Sequence, residues 1–208
     1  MFDKKKAEFA NTWTHAGGLV LFCLMAVFLW IRGARHESFL LDLGLILFFI
    51  GEFMMFFSST IYHWVTDAKI KRVLRYFDHS AIYLSIAGSY SPILLYTIGG
   101  TLGNVCFLVI WTLTLLGIVY KIFFLGKYPK FSLGLYLTMG WMIVFIVKPV
   151  FETFPAISLW MLLGEGLSFT LGTYFFWKDG EHTYYHAIWH VFVYAGSLFH
   201  YLVLWFLT

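Results

Sequence analysis

Seven apolar stretches, each long enough to cross the hydrocarbon core of a bilayer, dominate this sequence of 208 residues. A membrane-spanning helix needs about 20 mainly apolar residues, with a usual range of about 17 to 25. The stretches cover residues 14–32, 40–64, 77–97, 102–124, 132–149, 156–177 and 184–206. The connectors between them are short and polar, and no linker indicates a second domain. We therefore predict an all-α membrane protein, a single seven-transmembrane-helix bundle over residues 1–208.

The composition excludes an ordinary soluble domain. The chain is 61% hydrophobic and 12% charged, whereas soluble domains are about 25% charged. Its net charge is only +3, and the basic residues lie mainly in connectors, so they indicate orientation and not nucleic-acid binding. The two cysteines fall in apolar stretches and do not form a disulfide framework. We expect the lipid bilayer as a partner, and no nucleic acid.

The distribution of Lys and Arg predicts the orientation in the membrane. With a cytoplasmic N-terminus, eleven of these residues lie inside, and three, Arg32, Arg35 and Lys148, lie outside. Cytoplasmic connectors carry an excess of Lys and Arg. We therefore predict a multi-pass protein of the cell membrane with its N-terminus in the cytoplasm and its C-terminus outside.

Three histidines recur every four residues at the start of the last apolar stretch: His182, His186 and His190. On a helix this spacing stacks the rings on one face, about 6 Å apart per step. Two such rings can bind one metal ion, and imidazole is a common zinc ligand. The alternative is that these histidines lie among the lipid headgroups with Tyr184 and Tyr185.

The predicted topology brings further polar residues to the same depth. His63 closes the second apolar stretch, Asp78 opens the third, and His186 and His190 open the seventh. All four positions fall at the cytoplasmic side if the N-terminus is inside. Three imidazoles with a nearby carboxylate or water complete a tetrahedral zinc site. Ionisable residues within membrane segments are costly, which favours a functional role.

These residues also form motifs that resemble the haemolysin III family, the prokaryotic branch of the progestin and adipoQ receptor family. The matching segments are 59–63 (SxxxH), 77–82 with 88–92, and 186–190 (HxxxH), together with the pattern ExxNxxTHxxG formed by Glu8, Asn11, Thr14, His15 and Gly18. The resemblance covers nearly the whole chain. One departure is Glu165, which lies where a small residue is expected.

The resemblance implies a seven-helix bundle with zinc held by His63, His186 and His190. Asp78 is then expected to reach the metal through a bound water, and Ser59 to bond that water or a ligand. Related receptors and alkaline ceramidases share this arrangement. The resemblance therefore suggests a zinc-dependent hydrolase of amide or ester bonds in lipids, similar to a ceramidase, with a membrane lipid or fatty-acyl substrate as its partner.

Such a site can be catalytic or structural. In a hydrolase, Asp78 would accept the proton of the attacking water and Ser59 would orient that water or donate to the developing oxyanion. Closed in by protein ligands, zinc would instead fasten the helices together, as in a receptor-like sensor of lipid composition or membrane state. A cytolysin or pore is the weaker alternative, because no polar stripe is long enough to line a channel.

Polar residues of the first and third stretches have open roles. His15 and Asn11 lie at the inner end of the first stretch and either bond to the metal ligands or cap that helix. His79 points about 100 degrees away from Asp78 on a helix, and we predict an interfacial position for it. His182 is expected to be solvated.

Three ionisable residues lie deeper in the predicted membrane segments. Glu52 falls on nearly the same helical face as His63, so it lines a polar cavity or proton path, or forms one buried hydrogen bond between helices. For Glu165 we favour the buried hydrogen bond. His200 lies about 20 Å from His186 along a helix and is predicted to make a separate polar contact.

Overall fold

The computed structural model describes residues 2–208, and this part of the chain is nearly all helical. The helices are α1 (Lys4–Gly33), α2 (Phe39–Trp64), α3 (Ala68–Pro92), α4 (Gly100–Phe124), α5 (Pro129–Gly140), α6 (Val147–Thr153), α7 (Ala156–Trp177) and α8 (Tyr185–Leu207). A π-helical segment, Ile93–Ile98, continues α3, and a 3-10 segment, Trp141–Ile146, joins α5 to α6. The prediction of an all-helical protein is confirmed.

Six helical segments of the described chain are long and apolar enough to cross a membrane. They contain α1, α2, α3, α4, the α5–α6 unit and α8. The seventh predicted span, 156–177, coincides with α7 but is not among the six, because Glu165 and several Gly, Ser and Thr residues reduce its apolar character. A multi-pass membrane protein is thus supported, whereas the seventh crossing and the orientation stay predictions.

Two helices begin well before the apolar stretches that predicted them. The side chain of Asp3 accepts hydrogen bonds from the backbone amides of Lys5 and Lys6, so α1 begins at Lys4. Asp67 caps α3 in the same way. Each acid satisfies amides that have no partner within the first helical turn. The extra turns of α1 carry the polar residues that reach the histidine cluster.

Close helix packing brings α2 between α1 and α3. A Cβ atom added at Gly88 of α3 would lie 2.7 Å from the Leu47 carbonyl oxygen of α2, and one at Gly51 would meet the Leu84 carbonyl oxygen. Small residues at a membrane helix crossing allow backbones to approach. α8 packs against α1 and most extensively against α7. Because α2 and α8 both pack against α1, the C-terminal end of α2 lies close to the N-terminal end of α8.

We expect Gly88→Ala to destabilise the bundle although alanine favours helices more than glycine by about 1 kcal/mol. The added methyl group meets backbone, which cannot rotate away, and overpacking costs about 1–3 kcal/mol. Gly17→Ala is the matched control, because nothing lies within 4 Å of a Cβ atom there. Thermal unfolding in detergent should show a lower Tm for Gly88→Ala only; equal Tm values would contradict the proposed packing.

Candidate metal centre and its cavity

Three histidines from α2 and α8 converge at the end of the bundle that holds the N-terminus. One ring nitrogen from each of His63, His186 and His190 lies within 4.8 Å of the others. Their ring centroids are 4.6 to 5.3 Å apart. His63 and His190 are buried, and His186 is partly buried. The helices thus place together the three residues that the sequence proposed as metal ligands.

The Nδ1 atoms of His63 and His186 are both bonded to carboxylates. His63 Nδ1 lies 2.7 Å from Glu8 Oε2, and His186 Nδ1 lies 3.0 Å from Asp179 Oδ2. A carboxylate only accepts hydrogen bonds, so each Nδ1 carries the proton and each Nε2 keeps its lone pair. His63 Nε2 is buried and has no hydrogen-bond partner within the described chain.

His190 is fixed in a similar way by Thr14. The two side chains approach to 3.1 Å between Thr14 Oγ1 and His190 Nδ1. The Thr14 hydroxyl hydrogen faces the carbonyl oxygens of Ala10 and Asn11, so the hydroxyl accepts from His190. Metal-ligating histidines characteristically donate their second ring N–H to such a group. The residues present therefore fit a zinc ion held by three Nε2 atoms.

Helix α1 supplies much of the surroundings of this cluster. Glu8, Asn11 and Thr14 follow each other at helical spacing on one face. Glu8 also forms an ion pair with Lys71 of α3, with 2.9 Å between Nζ and Oε1. Asn11 Nδ2 approaches His63 Nδ1 to 3.4 Å. His15 packs its ring on His190 with centroids 3.7 Å apart, and both of its nitrogens lack a hydrogen-bond partner in the described structure.

The connector before α8 supplies Asp179, the carboxylate that fixes the His186 ring. Burial alone would raise the pKa of Asp179, but the hydrogen bond that its carboxylate accepts from His186 lowers it, and the pKa lies below its usual value. His182 lies before the first residue of α8 and is exposed, as predicted for a solvated side chain. The predicted ladder of three histidines on one helix is therefore reduced to His186 and His190.

Asp78 and Ser59 lie beside the histidine cluster. Both side chains line the same cavity as His186 and His190, and Ser59 interacts with the Asp78 carboxyl group. A carboxyl group and a hydroxyl group thus line the cavity together with two of the three histidines.

A cavity of about 610 Å³ begins at this cluster and extends along the bundle. Its walls are mainly apolar and come from α3, α5, α6, α7 and α8. At its far part it reaches Trp141, Phe151 and Trp160, which are 39%, 66% and 67% exposed. The cavity therefore continues to the outer surface between the α5–α6 unit and α7, the surface that faces lipid in a membrane.

The remaining ionisable residues are His79, which lines the cavity, and Glu52, Glu165 and His200, which form hydrogen bonds in the middle of the bundle. The prediction that His79 is interfacial is wrong: it lines the cavity, and its Nδ1 is buried without a hydrogen-bond partner among the described residues. Glu52 bonds to Ser85, and Glu165 bonds to His200 with 3.0 Å between Oε2 and Nδ1. Glu52, Ser85, Glu165 and His200 lie deeper in the bundle than the histidine cluster.

Sequence reasoning missed the hydrogen-bond partners of all three histidines. Glu8 and Thr14 were part of the first-helix pattern, and their helical spacing from Asn11 was the available signal. Asp179 lies in a turn seven residues before His186. Helical spacing does not apply in a turn, so the sequence pattern could not predict this contact. The sequence therefore indicated the ligands but not the groups that fix their rings.

Comparison with known proteins agrees with this arrangement. A family model described as "Haemolysin-III related" matches residues 4–201. The chain belongs to the haemolysin III family. The "Hemolysin-3 homolog" of Bacillus subtilis (strain 168) is 39% identical over 193 residues, which cover 92% of this chain and 90% of that protein. "Hemolysin-3" of Bacillus cereus is 36% identical over 193 residues, with 92% and 87% covered.

A more distant relative connects this haemolysin III member with animal proteins. The human "Monocyte to macrophage differentiation factor" is 32% identical over 161 residues, which cover 75% of this chain and 66% of that protein. The resemblance inferred from the spaced motifs is confirmed. The motif segments 8–18, 59–63, 77–82 and 186–190 fall on α1, α2, α3 and α8, at the end of the bundle that holds the histidine cluster, whereas 88–92 lies at the C-terminal end of α3.

We expect Asp179→Asn to weaken zinc binding about 10- to 100-fold, because loss of a carboxylate behind a ligating imidazole typically costs this much. Glu181→Gln is the control, since Glu181 lies in the same connector but pairs with Lys178. Competition with a chromophoric chelator at neutral pH measures the affinity. The same affinity in both variants would contradict the role given to Asp179.

Proposed function

We propose that this protein is a zinc-binding membrane hydrolase that cleaves an amide or ester bond in a lipid. The supporting observation is that three histidines with converging nitrogens lie at the end of an apolar cavity, which Asp78 and Ser59 also line. His63, His186 and His190 would hold the ion. Bound zinc would supply Lewis-acid chemistry, which activates water and polarises a carbonyl group.

The protein's own residues would perform the proton transfers. Asp78, which lines the cavity together with His186 and His190, accepts the proton of the attacking water, then returns it to the leaving amine or alcohol. Ser59 donates its hydroxyl hydrogen to the Asp78 carboxylate and so keeps that group oriented towards the reacting end of the cavity. A carboxylate and a hydroxyl group with these roles suit acyl transfer to water.

The shape of the cavity favours a lipid substrate. Small-molecule sites are concave, mostly apolar and about 300–1,000 Å³ in volume, and this cavity falls in that range. An acyl chain would enter between the α5–α6 unit and α7 and lie along the apolar walls, with its carbonyl group near Asp78. This path lets a lipid reach the centre without leaving the bilayer.

A sensor of lipid composition or membrane state is the second candidate. It is favoured by the hydrogen bonds that connect the histidines to Glu8, Thr14 and Asp179, because these bonds join α1, α2, α8 and the connector before α8. Zinc would then fasten this end of the bundle, and a lipid in the cavity would change the packing. Lipid turnover distinguishes the two functions.

We expect the purified wild type to contain about one zinc ion per chain and His190→Ala to lose it, because two imidazoles alone do not complete the ligand set. His182→Ala removes an exposed histidine that lies outside the cluster and should keep its zinc. Elemental analysis of protein purified without added metal gives both values. Full zinc content in His190→Ala would remove the proposed centre.

We expect Asp78→Asn to keep zinc and fold while its release of fatty acid from mixed membrane lipids falls at least about a hundredfold, the usual contribution of a general base. Asp42→Asn is the control, because Asp42 lies in the first turn of α2, at the opposite end of that helix from His63. Mass spectrometry of the released acids measures turnover. Turnover that persists in Asp78→Asn would refute its role, and no turnover in the wild type would favour the sensor.

A further inference from the structure

A second polar cluster lies in the middle of the bundle, and the proposed hydrolysis does not use it. It consists of Glu52 of α2, Ser85 of α3, Glu165 of α7, and Ser197 and His200 of α8, and is called the mid-bundle cluster below. His200 follows His190 by ten residues, which is about 15 Å along a helix. The mid-bundle cluster is therefore distinct from the metal centre.

Only part of the hydrogen-bonding capacity of this cluster is used. The Ser85 hydroxyl donates to Glu52 Oε1, and His200 Nδ1 lies 3.0 Å from Glu165 Oε2. Glu52 Oε2, Ser197 Oγ and His200 Nε2 have no hydrogen-bond partner in the described structure. These three residues are only 1%, 6% and 2% exposed. Buried polar atoms usually have partners, so a proton shared between Glu52 Oε2 and Ser197 Oγ would satisfy two of these three atoms.

The charges in the cluster do not balance if both acids are ionised. Glu52 faces it from α2, Glu165 from α7 and His200 from α8; the charges of Glu165 and His200 act on Glu52, and those of Glu165 and Glu52 act on His200. From α3, Tyr90 lies near Glu165, while Ser85 is neutral. No Lys or Arg of the described chain forms an ion pair here. One imidazolium neutralises one carboxylate, and a second buried carboxylate without a counter-ion is strongly disfavoured.

We infer that the mid-bundle cluster is a proton-binding site that holds two protons on three groups. One proton lies on Oε2 of Glu52, the oxygen without a partner, and the hydroxyl oxygen of Ser197 beside it is the available acceptor. The other lies on His200, which pairs as an imidazolium with the ionised Glu165. This distribution leaves the cluster neutral overall, which is the stable state in a low-dielectric interior.

The site exchanges its protons through the cavity. Ser85, Glu165 and His200 all line the cavity, so this shared wall is the route by which protons would enter and leave the cluster. Chains of Glu and His within membrane segments commonly relay protons. A metal ion does not suit the cluster, because among the described residues the only close group of metal-binding side chains is His63, His186 and His190.

Infrared difference spectroscopy of the full-length protein in lipid tests the site. We expect the wild type to show the carbonyl stretch of one buried protonated carboxyl group, which shifts in D2O and is lost in Glu52→Gln. Glu152→Gln is the control, because Glu152 is an exposed acid paired with Lys148, and it should keep the band. Absence of the band in the wild type, or its survival in Glu52→Gln, would overturn the proposal.

His200→Gln gives a second and independent result. Without the imidazolium, Glu165 has no counter-ion and takes up a proton, so a second carboxyl band should appear and vanish when Glu165→Gln is added. If Glu52→Gln does not fold, Ser85→Ala replaces it and should shift the Glu52 band by removing its hydrogen bond. An unchanged spectrum in His200→Gln or Ser85→Ala would refute the assignment. Zinc content should be unaffected in all variants, which separates this test from that of the hydrolase.

Discussion

The hydrogen bonds from α1 and the α7–α8 connector to the histidine rings are the interactions on which the proposed centre depends. In a membrane, polar groups on different helices must satisfy each other, because lipid offers no partner. Glu8 and Thr14 bond to His63 and His190, and Asp179 bonds to His186. A hydrogen bond to a charged group contributes about 1.5–3 kcal/mol. Together these bonds fix three rings that belong to helices far apart in sequence.

The cavity connects the two polar regions of the bundle. The histidine cluster lies at one end of the cavity, and Glu165 and His200 of the mid-bundle cluster lie farther along its apolar walls. A ligand in the cavity would therefore contact a Lewis-acid centre at one end and a proton-binding site at a second position. A structural zinc ion would need neither the cavity nor Asp78 beside it, so this arrangement favours a catalytic role over a purely structural one.

Much of this organisation was predictable from the sequence, because apolar length and helical spacing report directly on membrane helices. The positions of α2, α4, α7 and α8 matched the apolar stretches closely. The approach of His63 to His186 and His190 followed from the expectation that helix ends lie at one depth. The early start of α1 was not predicted, because a single capping Asp3 extends the helix through a charged segment that hydrophobicity cannot recognise.

Contacts that depend on how helices rotate against each other were not predictable. Helical spacing from Asp78 placed His79 at the interface, but packing turned it into the cavity. The carboxylate partner of His186 lies in a turn, where sequence periodicity carries no information. The break of the fifth stretch into α5, a 3-10 segment and α6 was also missed, and this irregular unit forms one side of the opening to the cavity.

The most direct test of the account is zinc X-ray absorption spectroscopy of the purified, zinc-containing protein in lipid. The convergence of His63, His186 and His190 predicts three imidazole nitrogens about 2.0–2.1 Å from the metal, with no sulfur ligand. A first shell that contains sulfur, or fewer than three imidazoles, would contradict it.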